Sequence, residues 1–586
     1  MGWRGVVTRA MMQHTGGVDR SAKPSGPPRW SLLGVLLGSL GYIAALSPTL
    51  LPRTSFTQAL TCTVVSMTFY AIGAIIEGTV GAILRGTRNR HERTAPKQPR
   101  IDAPGSVWAT RIRGGIGLAA AVIAVSFTPS SIAAQVAQRE HDQVSAQAPN
   151  WLLVVLITAA LCALVLAIAR GLRSAGRGIA RLIGRRTGEQ HFVLRTLAGG
   201  LLVGLCATNV VVIALAACNV FFNTVNNSTA NQTPPTSAGR SGGPGSLISW
   251  RSLGNQGRNF VGGGPTAQQI TAVTGRPAQE PIRTYAGLQS ADSIQAQAQL
   301  AVNDLVRAGG LTRSAIIVYT PSTNGLVDPT SSAAAEFVLG GNVASVSLQY
   351  TVLPSFLSLI LSAESSQEAG TDLLSTVNST VDALPSDHRP RVYVYGESLG
   401  AFGSLAPFAD KGVAGFLDQV DGAVWAGPPA NTAYWQQINA LATSGVTWQP
   451  IVDDGRVLRY AATPAGIDLP PTPWGTSRGL FLQNATDPVV WWSPNLIFSR
   501  PGWLDSPRGP GVPEGMRWLP LVTFEQVLVD MPPAGGMPPG VGHNYLTTIG
   551  DGWLAVLAPP VWTTDNQTKL QAALGNTAPP NAANSP

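Results

Sequence analysis

The residues of this chain that could do chemistry gather at one pentapeptide, Gly396-Glu397-Ser398-Leu399-Gly400. It follows a β-branched and aromatic run, Arg391–Tyr395, and precedes Ala401–Ala409, a stretch suited to a helix. A serine between glycines at a sharp strand-to-helix turn is the arrangement of a nucleophile elbow. Small flanking residues let strand and helix approach. The helix start then directs backbone N–H groups and partial positive charge at a developing oxyanion. In a chain with 64 glycines the bare pattern says little, and the strand before it and the helix after it give it weight.

A serine hydroxyl needs a base, and the base an orienting acid. Four of the six histidines, His14, His91, His141 and His191, fall in the N-terminal half. His388 precedes the nucleophile strand and so sits at its wrong end. His543, in the glycine-rich segment Pro539–Tyr545, fits the order Ser…Asp/Glu…His. Asp487 is the expected acid, because it ends the loop after a late strand, Gly479–Gln483, where such sheets place functional groups. Its rivals are Asp453 and Asp454, in a turn-like Asp-Asp-Gly, and Asp505, in a Pro/Gly-rich loop. An oxyanion hole needs two N–H donors. The expected pair is Leu399 and, from the loop Thr320–Gly325, Ser322 or a neighbour, since Pro321 has no N–H.

No Walker loop, dinucleotide fingerprint or histidine cluster is present, so neither a cofactor nor a metal is expected. All four cysteines (Cys62, Cys162, Cys206, Cys218) lie in apolar N-terminal segments, which removes a thiol nucleophile and a disulfide framework from the C-terminal half.

The elements that must position these groups alternate. Ser314–Thr320, Ala344–Tyr350, Arg391–Tyr395, Gly422–Trp425, Val457–Tyr460 and Gly479–Gln483 read as short strands, and Glu364–Leu384 as an amphipathic helix. This pattern predicts a doubly wound, mostly parallel sheet of α/β-hydrolase type over residues 265–563.

The N-terminal half is different in kind. Five apolar runs, Trp30–Leu51, Phe56–Leu84, Gly114–Ala134, Trp151–Ala169 and Thr196–Phe222, approach the roughly 20 residues a spanning helix needs. Four further runs after the first, and no small-residue cleavage motif, argue against a signal peptide. Net charge is +15 up to Phe222 and −7 beyond it, and the basic residues sit between apolar runs, which argues against nucleic-acid binding. Arg and Lys crowd the tail 1–29, the segment 85–113 and the segment 170–195, whereas the other two connections carry only Arg53 and Arg139. The positive-inside rule therefore predicts a cytoplasmic N-terminus, a multi-pass domain over 30–222 in the cell membrane, and an extracytoplasmic C-terminal half. Glu77, the one acid deep in a run, reads as a residue near an inner helix end rather than as part of a transport path. Residues 223–264, rich in Asn, Ser, Thr, Gly and Pro, read as a flexible linker, and 564–586 as a tail.

With these residues in view, the chain resembles the actinobacterial membrane proteins that join an N-terminal transmembrane domain to an α/β-hydrolase. The resemblance rests on the five-run half, on Tyr395–Gly400, on Asp487-Pro488-Val489-Val490-Trp491-Trp492 and on Gly542-His543-Asn544-Tyr545. It implies nucleophile, acid and base segments at those places and a hydrolase-like enzyme of the cell envelope. Pro321 and Asn324 depart locally from that family's Thr/Gly-rich loop.

The expected activity is that of a serine esterase, lipase or acyltransferase with an acyl-Ser398 intermediate. Membrane lipid and an acyl-lipid or other ester are its expected partners, and the apolar segment Val352–Leu361 is either part of the lipid site or ordinary core helix. The alternatives are a non-catalytic envelope binding or assembly module on a hydrolase fold, and transport through the five-run half.

Overall fold

The computed structural model describes residues 30–92, 105–141, 148–187, 192–229, 232–322, 324–354, 358 and 362–577. The segment 352–361 lies largely outside them.

Among the described residues, six helices make the N-terminal half: α1 (Leu32–Ala45), α2 (Ser55–Glu92), α3 (Gly105–Ser126), α4 (Thr128–His141), α5 (Trp151–Thr187) and α6 (Phe192–Asn227). Three stretches among the described residues, Ser55–Leu84, Arg111–Ala137 and Trp151–Gly176, are long and apolar enough to cross a membrane. The first expected span is shorter than its apolar run. The helix stops at Ala45, before Ser47-Pro48, and its 14 residues reach about 21 Å, short of a hydrocarbon core of roughly 30 Å. The fifth run falls in α6, many of whose side chains are outside the described residues.

Helix α1 lies close against α2 because its facing positions are glycines. A Cβ on Gly34 would stand 2.9 Å from the Tyr70 carbonyl oxygen, and one on Gly41 3.1 Å from that of Val65. Glu77 of α2 caps α1: its Oε2 accepts from the Ser31 hydroxyl at 2.5 Å and from the Leu33 N–H at 3.1 Å, while Arg113 reaches Oε1 at 2.7 Å. A carboxylate at a helix N-terminus is a stabilising arrangement, and it accounts for this acid structurally.

The C-terminal half is built on a seven-stranded sheet. In chain order its strands, with a small hairpin between them, are β1 (Ile282–Ala286), β2 (Ala315–Thr320), β3 (Val343–Leu348), β4 (Arg391–Glu397), β5 (Gly422–Ala426), the hairpin β6 (Ser444–Val446) and β7 (Gln449–Ile451), then β8 (Leu458–Ala461) and β9 (Arg478–Leu482). The spatial order is β1-β3-β2-β4-β5-β9-β8, and every pairing in this sheet is parallel. Strand β1 was not expected, because Arg283 interrupts its apolar character. Arg283 is buried and paired with Glu336 at 2.7 Å. The chain crosses to one side of β2 to make β3 and to the other to make β4. Their C-terminal ends therefore lie at the switch point where such sheets open a crevice.

Two stretches are more ordered than their composition suggests. Residues 232–264, expected as a linker, include the helix Gly254–Gly262 and place Ile248, Leu253, Phe260 and Val261 in the hydrolase core. Polar side chains rather than a periodic apolar face hold this segment: Ser241 donates to Asp304 at 2.6 Å, and Arg258 to Gln232 at 2.9 Å. The expected tail begins with the helix Thr564–Thr577, which buries Leu570 and Leu574.

The two halves share their cores. Leu50 and Leu51, from the loop between α1 and α2, belong to the hydrolase cluster, and Val522 belongs to the helical one. Arg53 and Asp530 form an ion pair across the junction at 2.9 Å, their side chains 2% and 1% exposed.

Candidate active site

Strand β4 delivers Ser398 onto a turn with φ 55° and ψ −123°, a left-handed conformation that a non-glycine residue adopts at a cost. The neighbouring glycines explain how the turn fits. A Cβ on Gly396 would sit 2.3 Å from the Gly400 carbonyl oxygen and from Ser404 Oγ, and one on Gly400 would sit 2.3 Å from the Thr320 carbonyl oxygen. The short helix Leu399–Ser404 follows at once, so the N–H of Leu399 has no acceptor within its own helix.

The Ser398 N–H donates to the Ala426 carbonyl at the end of β5, 2.9 Å away. The next residue, Gly427 (φ 56°), lies close against the imidazole of His543; a Cβ there would be 2.3 Å from His543 Cε1 and 2.9 Å from Asp487 Oδ2. Four segments distant in sequence thus converge at the C-terminal ends of β4 and β5.

His543 Nδ1 and Asp487 Oδ2 are 2.6 Å apart, with side chains 11% and 0% exposed. Asp487 caps the turn Pro488–Trp491, its Oδ1 accepting from the Val489 N–H at 2.8 Å. Its Oδ2 accepts a second bond, from the Tyr545 hydroxyl at 2.5 Å. The histidine loop is pinned to the acid loop on both sides: Gly542 N–H donates to Thr486 Oγ1 at 2.9 Å, and Asn484 Nδ2 donates to the Gly542 carbonyl at 2.9 Å. His543 Nε2 has no hydrogen-bond partner among the described residues. Burial pulls the imidazolium pKa down, but the charge and hydrogen bond of Asp487, with help from Glu397, outweigh it and hold His543 above its ordinary value. This is the arrangement of a base whose protonated form is stabilised when it takes a proton.

The rivals are elsewhere. Asp453 and Asp454 occupy an exposed turn, Asp505 pairs with Arg500 at the surface, and His388 pairs with Asp387 at 3.0 Å at the opposite end of β4. Ser322 does not serve as the second oxyanion donor in this conformation: its N–H is spent on the Leu326 carbonyl at 2.9 Å, in a bridge that closes the loop. Its neighbour Thr323 is outside the described residues.

Sequence reasoning missed a second acidic group. Asp328 caps the helix Pro329–Val338 through the N–H groups of Thr330 and Ser331, and accepts from the Tyr395 hydroxyl at 3.4 Å. It faces Glu397, the residue before the nucleophile. Burial, then the nearby Asp328, push the Glu397 carboxyl up to about 8, with Asp487 adding to the rise and His543 opposing it. Gly427 and Tyr545 were also missed as site residues. Nothing in the sequence marks Gly427 as a site residue, and Tyr545 read only as part of the histidine segment.

Fold and site together define a chain of the α/β-hydrolase class. The comparison with protein families agrees: residues 282–570 match the model of an alpha/beta-hydrolase family, and residues 46–265 match that family's N-terminal model. The chain belongs to this α/β-hydrolase family, over both its helical and its catalytic-type half. No curated protein and no solved structure matches it.

Proposed function

We propose that the protein is a membrane-anchored serine hydrolase or acyltransferase acting on an acyl ester, with a cell-envelope lipid as the substrate class. The observation that carries this reading is the buried Asp487–His543 contact of 2.6 Å beside Gly427, at the same end of the sheet as the strained Ser398 turn.

In the proposed reaction His543 Nε2 takes the Ser398 proton as Oγ adds to the ester carbonyl carbon. The oxyanion formed there accepts from the Leu399 N–H, and Asp487 holds the imidazolium in place. Collapse breaks the bond to the alkoxy oxygen, which leaves with the proton from His543, and the acyl group stays on Ser398. A water or a lipid or sugar hydroxyl then adds to the acyl-serine, giving its proton to His543. The proton returns to Ser398 Oγ as the product departs. The basic segments 85–113 and 170–195 support an orientation with this site outside the cytoplasm.

The test is labelling of the full chain with a fluorophosphonate. Wild type is expected to label, the Ser398→Ala variant not at all, and the His543→Ala variant at least a hundredfold more slowly. A folded wild type that stays unlabelled, or a Ser398→Ala variant that labels as well as wild type, would overturn the reading.

A further inference from the structure

A cavity of about 230 Å³ lies between the two halves of the molecule, next to the acid and base loops. One wall is the loop Ser47–Pro52, where the chain passes from α1 to α2, with Gln135 and Arg139 of α4 behind it. The opposite wall includes Thr486, which precedes Asp487, and Val541, two residues before His543. Leu51 also touches the histidine loop directly: a Cβ on Gly542 would stand 3.0 Å from Leu51 Cδ2.

The lining decides what could fill this space. Pro48, Leu50, Leu51 and Val541 are apolar. Most of the polar side chains around them are already engaged in holding the walls. Thr49 donates to Asp530 at 2.5 Å, Ser47 Oγ donates to the Ala44 carbonyl at 2.6 Å, and Gln135 bonds Gln58 at 3.2 Å. Arg139 donates to the Arg53 carbonyl, and Thr486 accepts from Gly542 at 2.9 Å. An occupant that asked for hydrogen bonds would have to break these. An apolar chain would not. The volume exceeds the roughly 150 Å³ of an engineered apolar cavity that takes up benzene, so a hydrocarbon segment fits.

The position decides where such a chain would come from. The loop Ser47–Pro52 is the connection at the ends of α1 and α2, one of them long and apolar enough to span a bilayer. A cavity at that level lies where helices leave the hydrocarbon, within reach of the acyl chains of lipids in the adjoining leaflet.

We infer that this cavity binds an acyl chain of a membrane ester lipid and so presents the ester to Ser398 from the bilayer side. As a substrate site it rests on the serine-hydrolase reading above. As a lipid site it does not. The cavity thereby makes the helical half part of substrate recognition.

The experiment uses the full chain in lipid nanodiscs. It compares kcat/KM for p-nitrophenyl dodecanoate and p-nitrophenyl butyrate in wild type, in Val541→Phe, which fills the space, and in Pro510→Phe at its exposed rim. A phosphatidylcholine with a diazirine in its acyl chain is cross-linked in parallel and mapped by mass spectrometry. Each methylene that the cavity accepts is worth about fourfold. The dodecanoate-to-butyrate ratio should therefore fall at least tenfold in Val541→Phe and less in Pro510→Phe. Wild-type cross-links should map to residues 47–52 or 540–541 and disappear in Val541→Phe. Fluorophosphonate labelling of Ser398 in each variant reports that the site is still assembled. An unchanged ratio in labelled variants, with cross-links elsewhere, overturns the inference and leaves the hydrolase standing. Cross-links in the cavity of a chain that neither labels nor hydrolyses either ester overturn the hydrolase and leave the lipid site standing.

Discussion

Oδ2 of Asp487 is shared: it accepts from the Tyr545 hydroxyl at 2.5 Å and stands 2.6 Å from His543 Nδ1. The two donors come from one loop, two residues apart, so the acid is fixed by the same segment that it orients. A hydrogen bond to a charged group is worth about 1.5–3 kcal/mol. Replacing Tyr545 by Phe leaves the whole of that oxygen's charge to the imidazole. The variant should lose about tenfold or more in the rate of Ser398 labelling. Its acidic limb should move to higher pH, because His543 becomes more basic. A pH profile of fluorophosphonate labelling measures both, and a limb displaced to lower pH would contradict the assignment.

The wild-type profile has a predicted direction of its own. His543 must be neutral to take the serine proton, and its pKa is held above the ordinary 6.5. Labelling should therefore decline on acidification with a midpoint above that value. A midpoint below it would mean that Asp487 does not act on His543 as the geometry indicates.

Glu397 makes a separate prediction about stability. The folded protein keeps the proton on this carboxyl up to about 8, whereas an unfolded chain releases it near 4.5. A group with a raised folded pKa contributes stability that is present below the unfolded value and lost as pH rises through the folded one. The melting temperature of wild type relative to Glu397→Gln should fall steadily between about pH 4.5 and pH 8 and level off above it. A difference that is flat across this window would show that Glu397 is ionised in the folded protein.

Gly427→Ala tests how closely the base is held. The new methyl would enter at a left-handed φ of 56° and 2.3 Å from His543 Cε1. The backbone cost of about 1–2 kcal/mol should leave the fold intact. The displaced imidazole should slow labelling of Ser398 about a hundredfold, the usual consequence of misplacement by an ångström. Near-native labelling would mean that the loop can yield freely.

The Arg53–Asp530 pair should behave as buried ion pairs do. Removing either charge alone, as in Arg53→Met or Asp530→Leu, should destabilise the chain by about 3–5 kcal/mol, whereas the double replacement should recover most of the loss. Thermal unfolding of the full chain in detergent gives the comparison. Equal destabilisation by the double variant would show that packing, not charge pairing, joins the halves.

Much of this site was legible in the residues because its signals are local. Ser398 lies in a short pattern flanked by the right elements, His543 follows in the required order, and Asp487 is singled out from its rivals by its place at the end of a late strand. The strands β2, β4, β5 and β9 announce themselves by short apolar runs, and β3 by apolar residues alternating with serines. What could not be read depends on distant partners. Strand β1 hides behind Arg283, whose neutralising Glu336 lies 53 residues away. The segment 232–264 carries no period because its hydrogen bonds reach residues as far off as Asp304. The Ser322 N–H looked available, but a bridge to Leu326 consumes it. Glu397 stands out only once Asp328, 69 residues away in sequence, lies beside it. Leu50 and Leu51 read as the end of the first apolar run, Trp30–Leu51, and nothing local says that they enter another unit's core.

Leu50, Leu51 and Arg53 also set an order of events. Their partners lie near the other end of the chain; Arg53 and Asp530 are 477 residues apart. During synthesis the early loop emerges long before the residues that will enclose it. The hydrolase sheet can form only once its late strands have been made, and its core closes only over a loop already fixed by the helices. Contacts of such span are slow to form, because loop closure comes before any reward from packing. A hydrolase half released on its own would begin folding around an empty place, with two leucine-sized holes beside its histidine loop. Closure of the hydrolase core is therefore expected to await assembly of the helical end, and an unassembled helical half would leave behind an immature, protease-sensitive chain.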